Sequence, residues 1–538
     1  MKYIIIFLFI IASNVLYAQP FVQWQRCYGG TQNDAPGGLI ETSDGGYIMA
    51  GQTQSIDGDV KFNHGNKDLW VVKFNAKDSI EWQRTYGGSQ EDDAGGILPT
   101  SDGGYIIATT TYSIDGDLKG LKTDSTQADI WVLKIDSNGN IKWQKTFGGS
   151  KDEYALSLVP GSEGKYLISA LTNSTDGDVH GFHGGAGFDT WLFEVSEGGV
   201  LGWQKTLGGT KDDEEYALIQ TRDAGYAVAG YTMSVDGDIT GRVRDTTGEV
   251  WVVKLNSVGD IQWQKTYGGS KFEEAYAIIQ TLDHGYAIAG ITNSNDGDVS
   301  ALHQSSSASF SDCWVIKLDS TGTIEWQKTY GGSQGDQATS IIQTPDSGYV
   351  VAGSTSSDDG DVKGFHGQSD CWVFAINPTG QMITQKTFGG SWTDANIGAG
   401  IMQTKDNGFL VATVASSYDG DVIGHHGDST KSDIWLIKLS PLKNGVKNIS
   451  KIFGDGVTIF PNPSLGKGTV SYALTNSSQT KIEIFNPLGE KLRTIINTKE
   501  EAGSHDHSFD ISNLPSGSYF LRTEIEGKMV VRTIELLH

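Results

Sequence analysis

The sequence predicts an all-β protein: a seven-bladed β-propeller followed by a small Ig-like β-sandwich. A block of about sixty residues recurs seven times, which is typical of propellers and other repeat folds. Apolar residues occur in short runs rich in Val, Ile, Trp and Tyr, and no long stretch has helical periodicity. The 70 glycines among 538 residues fit many tight turns between short strands.

Each block is predicted to contain four strands, which we call a, b, c and d. In the second block they cover 95–100, 105–110, 130–136 and 141–147. The sequence Ser137-Asn138-Gly139-Asn140 joins strands c and d and is typical of a tight hairpin, because Asn and Gly tolerate positive φ. Four strands in a block of this length are the expected content of one propeller blade.

Two columns of tryptophan mark strands c and d. A Trp that recurs at one position of every unit is typical of packing between sheets. Strand c carries Trp70, Trp131, Trp191, Trp251, Trp314, Trp372 and Trp435. Strand d carries Trp-Gln at Trp24, Trp82, Trp143, Trp203, Trp263 and Trp326, with Thr384-Gln385 in the remaining copy.

The phase of the repeats predicts a closed ring over residues 21–440. A lone strand d at 22–28 precedes the first block, whereas the last block has strands at 397–404, 409–413 and 434–439 but no strand d. Pairing the first strand with the last block would complete the seventh blade and cover two sheet edges. An open array, the alternative, would need capping units at its ends.

Beyond residue 440 the pattern changes, and we expect a linker at 441–455 and a separate domain at 456–538. The last segment has no Trp and contains seven short strand-like runs, which predict a β-sandwich. The runs lie at 457–460, 468–474, 481–485, 491–496, 508–511, 518–524 and 529–536.

The motifs of this last segment resemble the C-terminal sorting domain (type A-like) of the type IX secretion system. They are Ile459-Phe460-Pro461-Asn462-Pro463, residues 482–489, residues 514–522 and Lys528-Met529-Val530-Val531, in the order of that family. The resemblance implies that the type IX machinery recognises 456–538 and carries the protein across a Gram-negative outer membrane. It also implies that this domain is usually removed and that the protein is then either released or attached to the cell surface. The sixty-residue blocks are similar to propeller-like repeats of such secreted proteins.

Residues 1–18 are predicted to be a signal peptide. Lys2 precedes an apolar run at 3–12 that is too short to span a bilayer, and cleavage is expected after Ala18. No other segment is a candidate transmembrane span. Three cysteines, Cys27, Cys313 and Cys371, are expected to be free, buried and without a catalytic role.

The net charge of −25 disfavours binding to nucleic acid, which requires basic surfaces. The same charge is compatible with cation binding or with a simply solvated acidic exterior.

An Asp-Gly-Asp triplet between strands b and c recurs in all seven blocks. Paired carboxylates in a loop could bind calcium, although each triplet supplies too few oxygens alone; the alternative, which we favour, is a turn whose carboxylates accept backbone hydrogen bonds. The candidate ligands are Asp57, Asp59, Asp115, Asp117, Asp176, Asp178, Asp236, Asp238, Asp296, Asp298, Asp359, Asp361, Asp419 and Asp421.

Five of these b–c loops also contain a histidine, which could indicate zinc but is expected to be solvated. The five are His64, His183, His303, His366 and His426; Lys122 and Val243 stand in the other two loops. Residues that depart from the repeat are expected to be surface variation. Examples are Lys119, Lys122, Arg242, Arg244 and Trp392.

The loops between strands d and a contain Gly-Gly followed by acidic residues, for example Asp92 and Glu214. In a propeller the d–a and b–c loops emerge on one face, so we expect one acidic binding face around the channel. The sequence therefore predicts an exported, non-catalytic interaction or adhesion module that presents this face to a glycan or a protein, with no catalytic residue and no certain cofactor. A glycoside hydrolase or lyase using carboxylates of this face is the first alternative, and a purely structural surface protein is the second.

Overall fold

The computed structural model describes most of the chain in two compact units, which lie within Gln19–Leu442 and Lys443–His538. Several predicted features lie outside the described residues: the signal peptide with its cleavage position Ala18, positions 443–455 of the linker, Val243, Arg244 and the motif Pro461-Asn462-Pro463. The described residues are 22–122, 124–185, 187–242, 247–303, 310–395, 400–442, 457–460, 466–474, 477–486, 490–501, 503–515, 517–525 and 528–536.

The described part of the first unit is all-β apart from two short 3-10 turns, Gly116–Leu118 and Ser162–Gly164. After β1 (Val22–Tyr28) the strands follow in groups that correspond to the repeats. The first three groups are β2 (Asp34–Glu41), β3 (Tyr47–Thr53), β4 (Asp68–Phe74), β5 (Ile80–Tyr86); β6 (Gly96–Pro99), β7 (Tyr105–Thr111), β8 (Asp129–Ile135), β9 (Ile141–Phe147); β10 (Glu153–Pro160), β11 (Tyr166–Thr172), β12 (Asp189–Val195), β13 (Leu201–Leu207). The next three are β14 (Asp213–Gln220), β15 (Tyr226–Thr232), β16 (Glu249–Leu255), β17 (Ile261–Tyr267); β18 (Glu273–Gln280), β19 (Tyr286–Thr292), β20 (Asp312–Leu318), β21 (Ile324–Tyr330); β22 (Asp336–Gln343), β23 (Tyr349–Thr355), β24 (Asp370–Ile376), β25 (Met382–Phe388). The last group is β26 (Gly400–Gln403), β27 (Phe409–Ala415) and β28 (Asp433–Leu439).

These strands form seven antiparallel four-stranded sheets within residues 22–442, which are the blades of a β-propeller. In blades 1 to 6 the order is a-b-c-d, as predicted. Each strand a contacts strand a or b of a neighbouring blade, so the a strands are the inner edges of the sheets and surround the channel. The series of contacts includes β2 with β6 and β2 with β27, and it therefore runs around the whole ring.

The N-terminal strand closes the ring, as predicted. Strand β1 pairs antiparallel with β28, and the seventh sheet has the order β1-β28-β27-β26. The pairing joins Val22 to Leu439 and Tyr28 to Ile434. The outer strand of blade 7 comes from the N-terminal end of the propeller. This sheet is therefore complete only when residues 22–28 pair with residues 434–439.

The strand-c tryptophans pack between the blades. All seven are buried, and each indole N–H donates to a strand-d glutamine of its own blade, for example Trp70 to Gln83 at 2.9 Å and Trp372 to Gln385 at 2.9 Å. Burying an indole without satisfying its N–H would cost free energy. This bond explains why Gln385 remains in the blade where the neighbouring Trp is replaced by Thr384.

The strand-d tryptophans of blades 1 to 5 pack against the c–d turn of the next blade. Trp82 donates its indole N–H to the carbonyl of Ser137 in the c–d turn of blade 2, at 3.0 Å. A Cβ on Gly139 of that turn would lie 2.9 Å from the Trp82 ring, so the glycine allows the ring to pack closely. Both tryptophan columns are therefore packing residues, which confirms the sequence interpretation.

The described part of the second unit contains two antiparallel sheets. Its strands are β29 (Val457–Phe460), β30 (Lys467–Leu474), β31 (Ser478–Phe485), β32 (Lys491–Glu500), β33 (Gly503–Asp510), β34 (Gly517–Ile525) and β35 (Lys528–Leu536). The sheets have the orders β29-β30-β33 and β32-β31-β34-β35, and a core that includes Val470, Ile482, Leu521 and Ile534 lies between them.

All three cysteines are free and buried, as expected. Burial raises the pKa of the Cys27, Cys313 and Cys371 thiols above the ordinary value, so these groups stay protonated at neutral pH.

Candidate functional site

The first aspartate of each Asp-Gly-Asp triplet accepts a backbone hydrogen bond from the d–a loop of its blade. In blade 1 the Thr31 N–H donates to Asp57 Oδ1 at 2.8 Å, and in blade 7 the Ser391 N–H donates to Asp419 Oδ1 at 2.7 Å. The same bond forms in the other five blades through Asp115, Asp176, Asp236, Asp296 and Asp359. The b–c and d–a loops therefore lie at the same end of each blade.

The glycine of the triplet allows the two loops to touch. Gly58 has φ of +64°, and a Cβ there would lie 2.4 Å from the carbonyl oxygen of Gly29. That carbonyl accepts the N–H of Asp59 at 2.7 Å, an arrangement that repeats in the other blades with Asp117, Asp178, Asp238, Asp298, Asp361 and Asp421. A non-glycine residue would be strained by both its φ and the contact.

The acid that begins strand a is buried, and it does not line the face as expected from the sequence. Asp34 Oδ2 accepts the N–H of Gly30 at 2.8 Å and the Ser55 hydroxyl at 2.9 Å. The same position holds Asp92, Glu153, Asp213, Glu273, Asp336 and Asp394, all fully buried. These carboxylates fix the turns of the loops instead of facing a ligand.

The histidines of the b–c loops are paired rather than solvated, which corrects the sequence interpretation. His64 Nδ1 lies 2.5 Å from Asp68 Oδ2, and its Nε2 lies 3.8 Å from Asp117 Oδ2 of the next blade. Corresponding Nδ1 contacts join His183 to Asp189, His303 to Asp312, His366 to Asp370 and His426 to Asp433. Each imidazole thus lies beside a buried carboxylate at a junction between blades.

Lysine and arginine take the place of histidine in the two remaining loops. Lys122 Nζ lies 2.8 Å from Asp129 Oδ2, and Arg242 Nε lies 3.5 Å from Glu249 Oε1. Both residues are buried, so the expectation that they are surface variation is wrong. A carboxylate that is removed from water requires a hydrogen-bond donor or a cation beside it. In these two loops Lys122 and Arg242 supply the cation beside the first acid of strand c.

These loops do not assemble a ready-made metal site. Among the described residues of the propeller, no three His, Cys, Asp or Glu side chains bring ligand atoms within 4.8 Å of one another. Calcium requires six to eight oxygen ligands, and the first aspartate of each triplet already accepts a backbone N–H. Calcium binding at the triplets stays a prediction.

The buried carboxylates predict that the propeller is more stable at pH 5 than at pH 7. Burial raises the pKa of Asp34, Asp92 and Asp336 to about 6, above the unfolded value of about 3.9. The folded state then binds more protons than the unfolded state between these values, so stability is present at low pH and is lost as pH rises from about 4 to about 6. The pKa of His64 is raised by its bond to Asp68, which acts in the same direction at higher pH.

Thermal unfolding between pH 4.5 and 8 measures this effect. Asp34→Asn should reduce the slope, because it removes one titrating group while an amide oxygen can still accept the Gly30 N–H. A melting temperature that rises or stays constant from pH 5 to pH 7 would contradict the assignment.

A group of tyrosines and glutamates breaks the sevenfold regularity at the inner strands of blades 4 and 5. The Tyr216 hydroxyl donates to Glu214 Oε2 and the Tyr276 hydroxyl to Glu274 Oε2, each at 2.6 Å. The two tyrosine rings meet edge to face with centroids 5.6 Å apart. Tyr231 stacks on Tyr216 at 6.5 Å between centroids.

We call Glu214, Tyr216, Tyr231, Phe272, Glu274 and Tyr276 the channel cluster. Phe272 extends it from the d–a loop, with its ring 5.4 Å from that of Tyr231. Its aromatic rings are half-buried. The position of Tyr216 is occupied by Gly37 in blade 1, Gly95 in blade 2 and Leu156 in blade 3, and tyrosine occurs there only in blades 4 and 5. A smaller aromatic contact, between Tyr154 and Phe188, lies in blade 3. The glutamates belong to the acidic residues predicted in the d–a loops, whereas the tyrosines are not among the predicted site residues. Comparison of strand a across the blocks is the sequence signal that reveals them.

Trp392 lies apart from this cluster, in the d–a loop of blade 7. Its side chain is 37% exposed, which agrees with its interpretation as a surface residue. In the described part of the chain, no helix is long and apolar enough to span a membrane.

Comparison with known proteins found a relative in sequence and solved structures of similar fold. The chain is 24% identical over 241 residues to the regulatory protein FlaEY of Caulobacter vibrioides, a match that covers 42% of this chain and 25% of that protein. The chain thus spans about a quarter of the length of this relative. Solved structures with a similar fold include PorZ, a surface component of the type IX secretion system of Porphyromonas gingivalis, with 11% identity, a TM-score of 0.36, and coverage of 92% of this chain and 59% of that one.

A puromycin hydrolase is also similar in structure, with 11% identity, a TM-score of 0.42, and coverage of 82% of this chain and 59% of that one. At these identities and TM-scores, the likeness concerns the fold and not the activity. The family model of the secretion system C-terminal sorting domain matches residues 458–535. The chain therefore carries a type IX sorting domain after a β-propeller, and it is a protein that is secreted or attached to the cell surface.

Proposed function

We propose that the propeller is a non-catalytic glycan-binding module and that the channel cluster binds the glycan. The observation that carries the proposal is the contact of three tyrosines, one phenylalanine and two glutamates within blades 4 and 5. Aromatic rings pack against the apolar faces of sugars, while carboxylates accept hydrogen bonds from sugar hydroxyls. Concave sites with aromatic walls and a few placed polar groups are typical of ligand binding.

The test is a binding screen of polysaccharides and oligosaccharides on the full mature chain. Tyr216→Ala and Tyr276→Ala should each weaken binding about tenfold, which corresponds to about 1.4 kcal/mol. Thr339→Ala, at the equivalent position of strand a in blade 6, is the matched control and should leave affinity unchanged. If no glycan binds, or if all three variants behave alike, the proposal fails and a purely structural role gains support.

One observation favours the alternative of a glycoside hydrolase. Burial raises the pKa of Glu274, and the negative charge of the nearby Glu214 carboxylate raises it further. A neutral carboxylic acid close to an ionised carboxylate is the pair that glycoside cleavage uses.

The same screen distinguishes the two functions. Product release that is lost in Glu274→Gln or Glu214→Gln, with binding retained, would establish the hydrolase. Binding without turnover in the unaltered chain supports the non-catalytic module.

A further inference from the structure

The second unit contains a cluster of two histidines and one glutamate that is independent of the propeller. Glu500 is the last residue of β32, whereas His505 and His507 lie two residues apart on β33. Strands β32 and β33 belong to different sheets of the sandwich, so the cluster joins the two sheets.

The three side chains have ligand atoms at the separations of a metal site. One ligand atom from each lies within 4.8 Å of the others, and no other group of three meets this condition among the described residues. Glu500 Oε1 is 2.9 Å from His507 Nε2 and 3.3 Å from His505 Nδ1. Ligands bonded to tetrahedral zinc at 2.0–2.2 Å are separated from one another by roughly 3.3 Å.

The groups around the cluster orient its members for this role. His505 Nε2 lies 2.8 Å from the carbonyl oxygen of Glu501. If Nε2 carries the proton and donates it there, Nδ1 presents its lone pair toward Glu500. A histidine ligand typically donates its other ring N–H to a carbonyl or carboxylate in this way.

Tyr472 completes the surroundings. Its hydroxyl donates to Glu500 Oε2, which leaves Oε1 directed at the histidines. Its ring stacks on both imidazoles, with centroid distances of 5.6 Å to His505 and 5.8 Å to His507. The Glu500 side chain is only 9% exposed, so its carboxylate is largely removed from competing water.

We propose that Glu500, His505 and His507 bind a zinc-class divalent ion, with water in the fourth position. Two imidazoles and one carboxylate are a ligand set that suits zinc and related transition metals. The ion would link the edges of the two sheets and stabilise the sorting domain, because a ligand bound only by the folded state stabilises that state.

The experiment uses the chain from residue 19 to residue 538, which keeps the sorting domain. It is titrated with Zn²⁺ by calorimetry and with Co²⁺ by visible absorption. We expect one tight site per chain, Co²⁺ bands typical of tetrahedral coordination, and a rise in the melting temperature of the sorting domain with Zn²⁺. His505→Ala and His507→Ala should each abolish the tight site. His180→Ala, which removes an exposed histidine of the propeller, should retain it.

Glu500→Gln keeps the shape of the side chain and serves as a second variant if an alanine variant does not fold. It should weaken Zn²⁺ binding at least tenfold. The proposal is overturned if the unaltered chain binds no Zn²⁺ tightly, or if the tight site persists in His507→Ala or Glu500→Gln. Histidines that only hydrogen-bond to Glu500 would give the first of these results.

Discussion

Deletion of Val22–Tyr28 is expected to destabilise the propeller by at least about 5 kcal/mol, which is comparable to the whole stability of many domains. The deletion removes strand β1, which is the outer strand of blade 7 and pairs with β28. It also removes Cys27 and Tyr28, which are 2% and 0% exposed. Strand β28 would then have an unpaired edge, which favours aggregation.

The bonds of β1 extend to both sides of the closure. Gln25 accepts the indole N–H of Trp435 in blade 7. The Tyr28 hydroxyl donates to the carbonyl of Asp78 in blade 1, at 3.1 Å. Loss of the strand therefore leaves a buried indole without a partner and separates blade 7 from blade 1.

Chemical denaturation and size-exclusion chromatography of the full mature chain measure the effect of this deletion. Gln25→Ala removes the bonds of this side chain to Trp435 and to the Asp421 carbonyl but keeps the strand. It should cost about 1–3 kcal/mol, as should the matched variant Gln204→Ala inside blade 3. A deletion that costs no more than Gln25→Ala would show that β1 does not hold the ring closed.

A chain that ends at Leu442 is expected to fold but to stay in the periplasm. The sorting-domain match at 458–535 lies wholly in the part removed. All seven sheets of the propeller are complete without it, because each draws its strands from residues 22–439. The two units also have separate cores, so the melting temperature of the propeller should not change.

Cell fractionation followed by immunoblotting measures delivery. Leu521→Asp is a useful second variant, because it places a charge in the core of the sorting domain while keeping the length of the chain. It should also block delivery if the machinery recognises the folded sandwich. Normal surface delivery of the chain that ends at Leu442 would contradict the role of this domain.

The repeats made much of the fold predictable. The phase of the blocks placed β1 in the last blade, and the structure confirms that pairing. The sequence shows the Trp-Gln pattern of strand d but not the role of its glutamine. Only the structure shows that this glutamine accepts the indole N–H of the strand-c tryptophan. The bond joins strands c and d, and its two residues in blade 1, Trp70 and Gln83, lie 13 positions apart in the sequence.

The candidate site was less predictable. The sequence predicts that His64 is solvated, because it lies near glycines and two of the seven loops lack the histidine. Its partners Asp68 and Asp117 come from two different blades, so only the structure shows the pairing. Lys122 and Arg242 are predicted to be surface variation because they form no catalytic or metal-binding motif in the sequence. The pairing of Tyr216 with Tyr276 joins residues sixty positions apart and depends on adjacent blades meeting at the channel.

The sequence by itself determined the number of blades, the phase of the ring, the tryptophan packing and the sorting domain, because each is encoded in a local pattern or a repeated one. Only the tertiary structure decided which acidic residues are buried, which cations pair with them, and where the regularity of the channel is broken. Burial and pairing depend on contacts between neighbouring blades and between the two sheets of the sandwich, and a repeat pattern does not specify these contacts.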